Sequence, residues 1–377
     1  MSVATYDVVI VGGGIVGVAC AYECAQRALR VALIEQDVIG GGATAAGMGH
    51  VVVMDDSDAQ FALTRYSQQL WQELRRELPA EVEYEQCGTI WVAADEDEMS
   101  EVLRKHAYYS RRGVPVEVLR ALDLERIEPN LRKGMTGGLL IPEDGVLYPP
   151  CAAQFLLESA LLKGATLYSG STVSRIGSGQ VYLSDATTLS AAVVVNAAGA
   201  SAPALTPGIE VRKRKGHLVI TDRYPGFVHH QLVELGYLKS AHSVNADSVA
   251  FNVQPRQTGQ LLIGSSRQFG AEHKDVDQEI MWRMLQRAQE YLPALAKTSA
   301  IRAWTGFRAA TPDKLPLIGQ WPADPSVYLA TGHEGLGITT SLATARLLAD
   351  QITGKASAIP IEPYLPSRMA SLEHAHA

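Results

Sequence analysis

The sequence predicts an α/β protein that carries a second, α+β domain. The chain opens with an apolar strand, a glycine-rich turn and an apolar helix, as parallel α/β layers do. Residues 211–265 alternate between apolar and polar side chains, which is typical of antiparallel strands, and a strand and a helix return near the end. The two predicted domains are therefore interleaved. The first is predicted to contain residues 1–80, 142–210 and 304–377, and the second, built on an antiparallel sheet, residues 81–141 and 211–303.

Composition and charge favour an enzyme of the cell interior. Of the 377 residues, 47% are hydrophobic, and the net charge of −7 does not favour nucleic acid as a partner. The basic run 212–215 is short and lies between strand-like segments, so we expect it to form a solvated edge. No apolar run approaches the roughly 18 residues that span a membrane, and the first strand begins too close to Met1 for a signal peptide. The four cysteines lack metal-ligand spacing, so no metal site is expected and the protein is predicted to be cytoplasmic with reduced thiols.

The opening segment predicts a dinucleotide site. Strand Asp7–Val11 runs into the pattern Gly12-x-Gly14-x-x-Gly17. In this turn the first glycine makes the bend, the second lets backbone approach a pyrophosphate, and the third lets the helix pack close to the sheet. The helix N-terminus then offers N–H groups and a positive dipole end to the phosphates. The next strand ends in Glu35, an acid that suits the unphosphorylated adenosine ribose of FAD or NAD and would repel a 2′-phosphate.

The remaining elements follow from periodicity and from turn residues. The apolar face of the helix at 57–78 includes Leu63 and Leu78, and Pro79 ends this helix. A polar helix around Glu101 and Arg104 lies between two stretches of short strands and turns, at 82–93 and 114–141. Further helices are predicted at 151–163, 275–292 and 340–352. Strands are predicted at 166–168, 181–183, 191–195, 216–220, 249–253, 261–264 and 327–330.

Six motifs occur in an order that resembles a known family. They are the opening glycines, Glu35, the small-residue stretch Gly40–His50, the segment 193–200 (VVVNAAGA), Trp304–Arg308 with Thr311-Pro-Asp313 and Pro316–Gly319, and Thr331–Gly337. Over nearly its whole length the chain resembles the FAD-dependent D-amino-acid oxidase (DAO) superfamily. It is most similar to the glycine and sarcosine oxidase group and to the flavin subunits of bacterial D-hydroxyproline or D-proline dehydrogenases. The resemblance implies a Rossmann-like FAD-binding domain and an interleaved substrate domain.

The resemblance also assigns cofactor contacts to this chain. It implies that the pyrophosphate lies at Gly12, Gly14 and Gly17, the adenosine ribose at Glu35 and the adenine at the backbone of Val173. Ala198 and Gly199 would adjoin the dinucleotide, and Ile15, Val16 and Gln36 are further cofactor-binding candidates. The residues implied beside the isoalloxazine ring are Thr44, Ala45, Gly47, Met48 and Gly49, and those at its pyrimidine edge are Gly332, His333, Glu334, Gly335, Leu336, Gly337, Ile338 and Thr339. A helix begins just after this last loop, and its positive end would stabilise the anion that forms on flavin reduction. Some members attach flavin through a cysteine, where this chain has Gly306, so FAD is expected to be non-covalent.

For the substrate, the resemblance implies that Arg308 binds the α-carboxylate, a role that suits a planar fork of donors. A surface arginine in a salt bridge is the alternative. Where glycine oxidase-like members carry a tyrosine, this chain has Asn252 or Phe251. His50 and His333 are candidate bases, but the family chemistry needs none, and hydrogen bonding within the flavin loops is the preferred interpretation. His217 and Tyr237 are further candidates for the substrate cavity, each equally compatible with ordinary packing.

The expected activity is oxidation of a small amino acid by hydride transfer from Cα to flavin N5. The favoured substrate is cis-4-hydroxy-D-proline or D-proline, on resemblance alone. Alternatives are a glycine- or sarcosine-type amine oxidase, the flavin subunit of a hetero-oligomeric amino-acid dehydrogenase of the opine type, and an NAD-linked dehydrogenase, against which the C-terminal flavin-loop motif argues. The expected partners are the amino acid and an electron acceptor, either a quinone or dye or O2. The resemblance leaves open homo- and hetero-oligomers, and membrane association through the acceptor.

Overall fold

The structure is a computed structural model, and it describes residues 4–236 and 247–369. The chain divides into two compact units, each made of separate stretches of sequence. The first unit comprises Met1–Val82, Tyr148–Lys213 and Phe307–Ala377, and the second comprises Glu83–Leu147 and Arg214–Gly306. Parallel and antiparallel sheets with helices confirm the predicted α/β class. None of the helices within the described ranges is long and apolar enough to cross a membrane.

The strands, in chain order, are β1 Ala4–Val11, β2 Val31–Glu35, β3 His50–Val51, β4 Thr89–Ala93, β5 Glu117–Arg120, β6 Gly137–Ile141, β7 Gly145–Val146, β8 Thr166–Ser169, β9 Val173–Gly177, β10 Gln180–Leu183, β11 Thr188–Asn196, β12 Arg212–Arg223, β13 Gln231–Glu234, β14 Ser248–Pro255, β15 Gln260–Arg267, β16 Ala300–Ala310, β17 Leu317–Trp321 and β18 Asp324–Thr331. The helices are α1 Ile15–Gln26, α2 Asp58–Leu74, α3 Glu96–Arg111, α4 Ala121–Ile127, α5 Pro149–Leu162, α6 Ala202–Leu205, α7 Gln278–Tyr291 and α8 Gly337–Thr353.

The first unit is built on a sheet in the order β17-β18-β11-β1-β2-β8, with β10 and β9 attached to β11. Its centre is parallel: Val9 of β1 lies opposite Val194 of β11 on one side and Ala32 of β2 on the other. These central strands are continuous apolar runs because both faces of a parallel sheet are buried. Helices α1, α5 and α8 pack together, since α1 is apolar on nearly every side.

The second unit contains an eight-stranded sheet in the order β16-β12-β15-β14-β13-β4-β6-β5. The prediction of an antiparallel sheet is wrong at one position, because β13 pairs with β4 in parallel. One face packs on α4 and α7 in a core that includes Val253, Leu232 and Ile90, which lie in one cross-strand row. Side chains alternate between faces along a strand. The adjacent row, Asn252, Val233 and Trp91, therefore lies on the opposite face.

Three local predictions need correction. Helix α2 ends at Leu74 rather than at 78, because the residue before Pro79 is restricted to non-helical backbone and the chain leaves the helix early. The stretch 114–141 contains a helix, α4, too short to show helical periodicity, with Leu124 buried. The basic run 212–215 is not at a sheet edge and is only partly solvated. It begins β12, which lies between β16 and β15; Arg212 and Lys213 are exposed, whereas Lys215 is only 5% exposed.

Candidate active site

In the glycine-rich turn, backbone segments lie very close to one another. Gly12 adopts φ +108°, and a Cβ there would lie 2.6 Å from the carbonyl oxygen of Ala197. A Cβ on Gly17 would lie 1.9 Å from the carbonyl oxygen of Gly12. Real side chains do not tolerate such distances, so strand, turn and helix can come this close only with glycine. The turn therefore has the cradle that a dinucleotide pyrophosphate requires.

The N-terminus of α1 is suited to an anion. Its N-cap, Gly14, has no side chain, and no acidic residue lies in the first turn. Thr44 Oγ1 accepts a hydrogen bond from Ile15 N–H at 2.9 Å, which brings the small-residue stretch 40–50 to the helix start. Because the first turn of α1 itself carries no acid, a phosphate could bind at its positive dipole end.

Glu35 is held at the same turn. One carboxylate oxygen accepts a hydrogen bond from Gly13 N–H at 2.7 Å, and the other accepts one from Asp37 N–H at 2.8 Å. A carboxylate accepts several hydrogen bonds, so ribose hydroxyls could be added. Gln36 is exposed beside it, and Val173 begins β9 in the same unit.

Asn196 organises the segment 196–199, a role that the sequence analysis missed. Its buried Nδ2 donates to Ala202 O and to Thr206 Oγ1, both at 2.9 Å, while its Oδ1 accepts from Ala198 N–H at 3.2 Å. These bonds fix Ala198 beside the turn, where its Cα would lie 3.1 Å from a Cβ on Gly12. A single amide at the end of an apolar strand was the available signal. Gly199 is held in turn by Thr331, whose Oγ1 donates to its carbonyl at 2.9 Å.

The small-residue stretch 44–50 lies against the start of α8. A Cβ on Gly47 would lie 2.5 Å from Ile338 Cδ1, and Thr339 Oγ1 donates to the carbonyl oxygen of His50 at 2.8 Å. Met48 is 8% exposed. Two segments that the resemblance places at the isoalloxazine ring are therefore in direct contact, and neither needs a large side chain there.

The loop before α8 is a tight turn. Gly332 adopts φ +82°, Glu334–Leu336 form one 3-10 turn, and α8 follows with no side-chain cap and no acid in its first turn. The backbone of α8 thus presents a positive dipole end at Gly337. A Cβ on Gly337 would lie 3.9 Å from Val16 Cγ2, which places the starts of α8 and α1 side by side.

His333 is an internal residue of this loop. Its Nε2 lies 3.0 Å from the buried Thr344 Oγ1 of α8. Burial lowers the pKa of His333 to about 3, so the ring is neutral near pH 7. It links the loop to the helix and is a poor candidate for a base. His50, the other candidate base, is half-buried at β3, where its backbone carbonyl accepts the bond from Thr339.

Arg308 lies beside the same loop. It is in the part of β16 that belongs to the first unit, and a Cβ on Gly335 would lie 3.7 Å from Arg308 Nε. Ala310 and His333 form an antiparallel backbone bridge, so the end of β16 and the loop are fixed to each other. The structure therefore brings together Arg308 and the residues predicted for the pyrimidine edge of a flavin.

The other substrate-site candidates belong to the second unit. Phe251 faces the helix-packed core, where its ring stacks on Tyr291 at 4.3 Å between centroids, so its predicted place in a substrate pocket is wrong. Asn252, one residue on, points to the opposite face; it is 8% exposed, and its Oδ1 has no hydrogen-bond partner among the described residues. His217 is buried between Ser266 Oγ at 2.9 Å and Asp277 N–H at 3.0 Å, which indicates a structural role. Tyr237 lies outside the described residues.

Comparison with known proteins agrees with this geometry. The family model for FAD-dependent oxidoreductases, DAO, matches residues 7–351. The chain belongs to this family. It is therefore an FAD-dependent oxidoreductase, as predicted, and the glycine cradle, Glu35 and the uncapped helix starts fit that cofactor.

Individual relatives span essentially the full chain. The chain is 30% identical to glycine oxidase of Geobacillus kaustophilus over 96% of this chain and 97% of the relative. It is 29% identical to hydrogen cyanide synthase subunit HcnC of Pseudomonas aeruginosa, over 97% and 96%. The crystal structure of glycine oxidase from Geobacillus kaustophilus superposes with a TM-score of 0.87 at 29% identity, covering 97% of this chain and 99% of that one.

Proposed function

We propose that this oxidoreductase acts on the CH–NH group of a small amino acid, with cis-4-hydroxy-D-proline or D-proline as the favoured substrate. The observation that supports an amino acid most directly is the position of Arg308 at the loop before α8, 3.7 Å from a Cβ on Gly335. A guanidinium pairs with a carboxylate through two parallel N–H···O bonds, which fixes orientation as well as position. An α-carboxylate is the group that all candidate substrates share.

The chain's own residues would position the substrate and stabilise charge, and none of them is required to exchange a proton with it. Arg308 would hold the carboxylate so that the Cα–H points in one direction, which lowers the entropic part of the barrier. Bound FAD would supply the redox chemistry, as the two-electron acceptor for oxidation of the substrate's Cα–N bond. The start of α8 would stabilise negative charge, since its first turn carries no acid. His333 stays neutral and keeps the loop in place. Because position 306 is glycine, we propose that FAD is held without a covalent link.

A ring substrate is favoured for two reasons. A cyclic secondary amine holds its nitrogen and Cα in one ring, so few rotors are frozen on binding. Asn252, in the second unit, stays a candidate substrate contact, because its buried Oδ1 accepts no hydrogen bond from any residue in the described ranges. The resemblance to hydroxyproline and proline dehydrogenases points the same way.

Two other functions have specific support. A glycine- or sarcosine-type oxidation is supported by relatives named glycine oxidase at up to 30% identity. A role as one subunit of a larger enzyme is supported by the relative named hydrogen cyanide synthase subunit. In that case the chain expressed alone would carry flavin and yet lack full activity.

Anaerobic mixing with a panel of amino acids tests these functions. We expect flavin absorbance to bleach faster with cis-4-hydroxy-D-proline or D-proline than with D-alanine, glycine or sarcosine. Fastest bleaching with glycine or sarcosine would replace the favoured substrate with the second candidate. Bleaching with no member of the panel, in a protein that carries FAD, would favour the subunit hypothesis. Matched L-amino acids serve as controls for stereochemistry.

A further inference from the structure

The loop that follows Arg308 is tied to the end of the described chain. Arg368 Nε donates to Asp313 Oδ2 at 2.7 Å, and Arg368 Nη2 donates to Asp313 Oδ1 at 3.2 Å. The same Nη2 donates to the carbonyl oxygen of Leu315 at 2.7 Å. The two charged side chains are 15% and 22% exposed, respectively. A bidentate pair of this kind, largely shielded from water, constrains geometry more than a surface ion pair does.

The loop held by Arg368 is itself tightly folded. Thr311 Oγ1 donates to the carbonyl oxygen of Leu315 at 2.8 Å, and Asp313 Oδ1 accepts from Leu315 N–H at 3.2 Å. Lys314 adopts φ +62°, a conformation that costs a non-glycine residue energy and persists only where neighbours enforce it. Arg368 binds Asp313 and Leu315, the residues immediately before and after Lys314. Arg368 therefore helps to enforce the loop conformation.

This loop contacts the turn beside Arg308. A Cβ on Gly332 would lie 2.6 Å from Thr311 Cγ2 and 3.6 Å from Pro316 Cα. One residue before Thr311, Ala310 forms its backbone bridge with His333. A shift of the 311–316 loop would thus move both the end of the Arg308 strand and the turn that Arg308 adjoins.

The segment that carries Arg368 is held in place by contacts of its own. Tyr364, 1% exposed, donates its hydroxyl to the carbonyl oxygen of Ala59 in α2 at 2.6 Å. Arg368 Nη1 also donates to the carbonyl oxygen of Leu365 at 3.2 Å. The segment 361–369 is therefore a rigid support attached to α2 and not a loose tail.

We propose that Arg368, through Asp313, is a positioning residue that sets the orientation of Arg308 for carboxylate binding. This inference rests on the proposed function, because it requires Arg308 to be the carboxylate anchor. Arg368 would act through the 311–316 loop and not by contact with substrate or cofactor. Its loss should therefore weaken binding of a carboxylate more than it slows the chemical step.

The experiment compares Arg368→Gln, Asp313→Asn and the double variant in the FAD-bound protein. The probe is pyrrole-2-carboxylate, a flat ring carboxylate that cannot be oxidised at Cα, titrated by its effect on the flavin spectrum. We expect the dissociation constant of the probe and the substrate KM to rise about 10-fold in each single variant, with kcat changed by less than about threefold. The double variant should match Arg368→Gln, because that variant has already lost the Arg368–Asp313 contact. Arg368→Lys, which keeps the cation without the fork, should fall between wild type and Arg368→Gln.

Arg27→Gln is the matched control, because Arg27 is a similarly buried guanidinium, 2.5 Å from Asp350, at the end of α1. It should lower Tm as Arg368→Gln does while leaving the probe's dissociation constant within about twofold. The proposal is overturned if Arg368→Gln, or Arg368→Lys where the glutamine variant does not fold, lowers Tm and leaves probe binding and KM unchanged. Arg308→Ala separates this failure from failure of the proposed function. If Arg308→Ala also leaves probe binding unchanged, the carboxylate binds elsewhere and both proposals fall.

Discussion

At the scale of residues, Arg308 and His333 are attached to the same strand end, and Arg308 is charged whereas His333 is neutral. Arg308 is a guanidinium that stays charged at any relevant pH. His333, joined to the same strand end through Ala310, is neutral because burial lowers its pKa to about 3. A second cation beside Arg308 would offer the substrate carboxylate an alternative partner, and the carboxylate would then be held in a less defined position. A neutral imidazole can fix the loop through Thr344 without competing for the substrate.

Arg308→Ala should leave FAD bound and reduce kcat/KM sharply. Loss of a charge-assisted bidentate pair costs on the order of 2–5 kcal/mol, which corresponds to roughly 30-fold to several thousand-fold in kcat/KM. Arg308→Lys should recover only part of the lost kcat/KM, since the point charge of lysine does not reproduce the two parallel hydrogen bonds of the guanidinium. Steady-state kinetics with the best substrate of the panel measure both. Arg302→Ala, an exposed arginine on the same strand, is the control. Near-wild-type kinetics in Arg308→Ala would move the carboxylate site elsewhere.

His333 should make the protein acid-sensitive. The unfolded chain titrates this histidine near pH 6.5 and the folded protein near pH 3, so the unfolded state binds more protons between these values. Stability is therefore lost as pH falls below about 6.5, by about 2 kcal/mol at pH 5. His333→Gln, whose amide can still reach Thr344, should lose less stability between pH 8 and pH 5 than wild type.

Urea unfolding at the two pH values, with FAD in excess, measures this difference. His273→Gln removes an exposed histidine and should behave as wild type. Equal pH dependence in wild type and His333→Gln would show that His333 titrates normally in the folded protein.

At the scale of elements, two helix starts meet at the site. Helices α1 and α8 begin side by side, with Val16 Cγ2 3.9 Å from a Cβ on Gly337, and neither has an acid in its first turn. Two positive dipole ends so close together would repel weakly in the absence of an anion. A dinucleotide carries negative charge at its pyrophosphate and, once reduced, on its ring. The adjacent helix starts therefore suit an anionic cofactor.

Gly17→Ala should disrupt this arrangement, because the new Cβ would lie 1.9 Å from the Gly12 carbonyl oxygen and backbone must shift. Overpacking of this kind costs about 1–3 kcal/mol and would open the turn that approaches the pyrophosphate. The purified variant should show a lower ratio of flavin to protein absorbance and a lower Tm. Gly42→Ala is the matched control, since no atom lies within 4 Å of its Cβ position. Full flavin content in Gly17→Ala would contradict the close-packing argument.

Some elements were predictable because their signal is local. The glycine turn and Glu35 lie within one βαβ segment and predicted a dinucleotide site for FAD or NAD. The resemblance narrowed the cofactor to FAD, and the fold class and FAD are confirmed. The parallel pairing of β13 with β4 was not predictable, since Gln231 and Thr89 are far apart in sequence. The choice between Phe251 and Asn252 depended on register, where one residue exchanges the two faces of a strand. Contacts such as that of Arg368 with Asp313 carry no periodic signal.

At the scale of the whole molecule, one family includes relatives named for different functions, a glycine oxidase and a hydrogen cyanide synthase subunit. Fold and cofactor therefore leave the substrate open, and the site must decide it. In this chain Arg308 is proposed to bind the carboxylate, which all candidate substrates share, so Arg308 does not distinguish them. The amino-acid panel does distinguish them, because each rate of flavin reduction reflects all the contacts that one substrate makes.

The electron acceptor is the last property that belongs to the whole molecule. Passing electrons to O2 creates negative charge on oxygen, which a nearby cation would stabilise. In the loop before α8, His333 is neutral and the next residue is the acidic Glu334, and a bound carboxylate would neutralise Arg308. We therefore expect an artificial dye or a quinone to reoxidise the protein faster than O2 does, in line with the resemblance to dehydrogenases. Stopped-flow reoxidation of the substrate-reduced protein, with air-saturated buffer against dye, measures both rates. Peroxide formation in air at the dye-coupled rate would instead make the protein an oxidase.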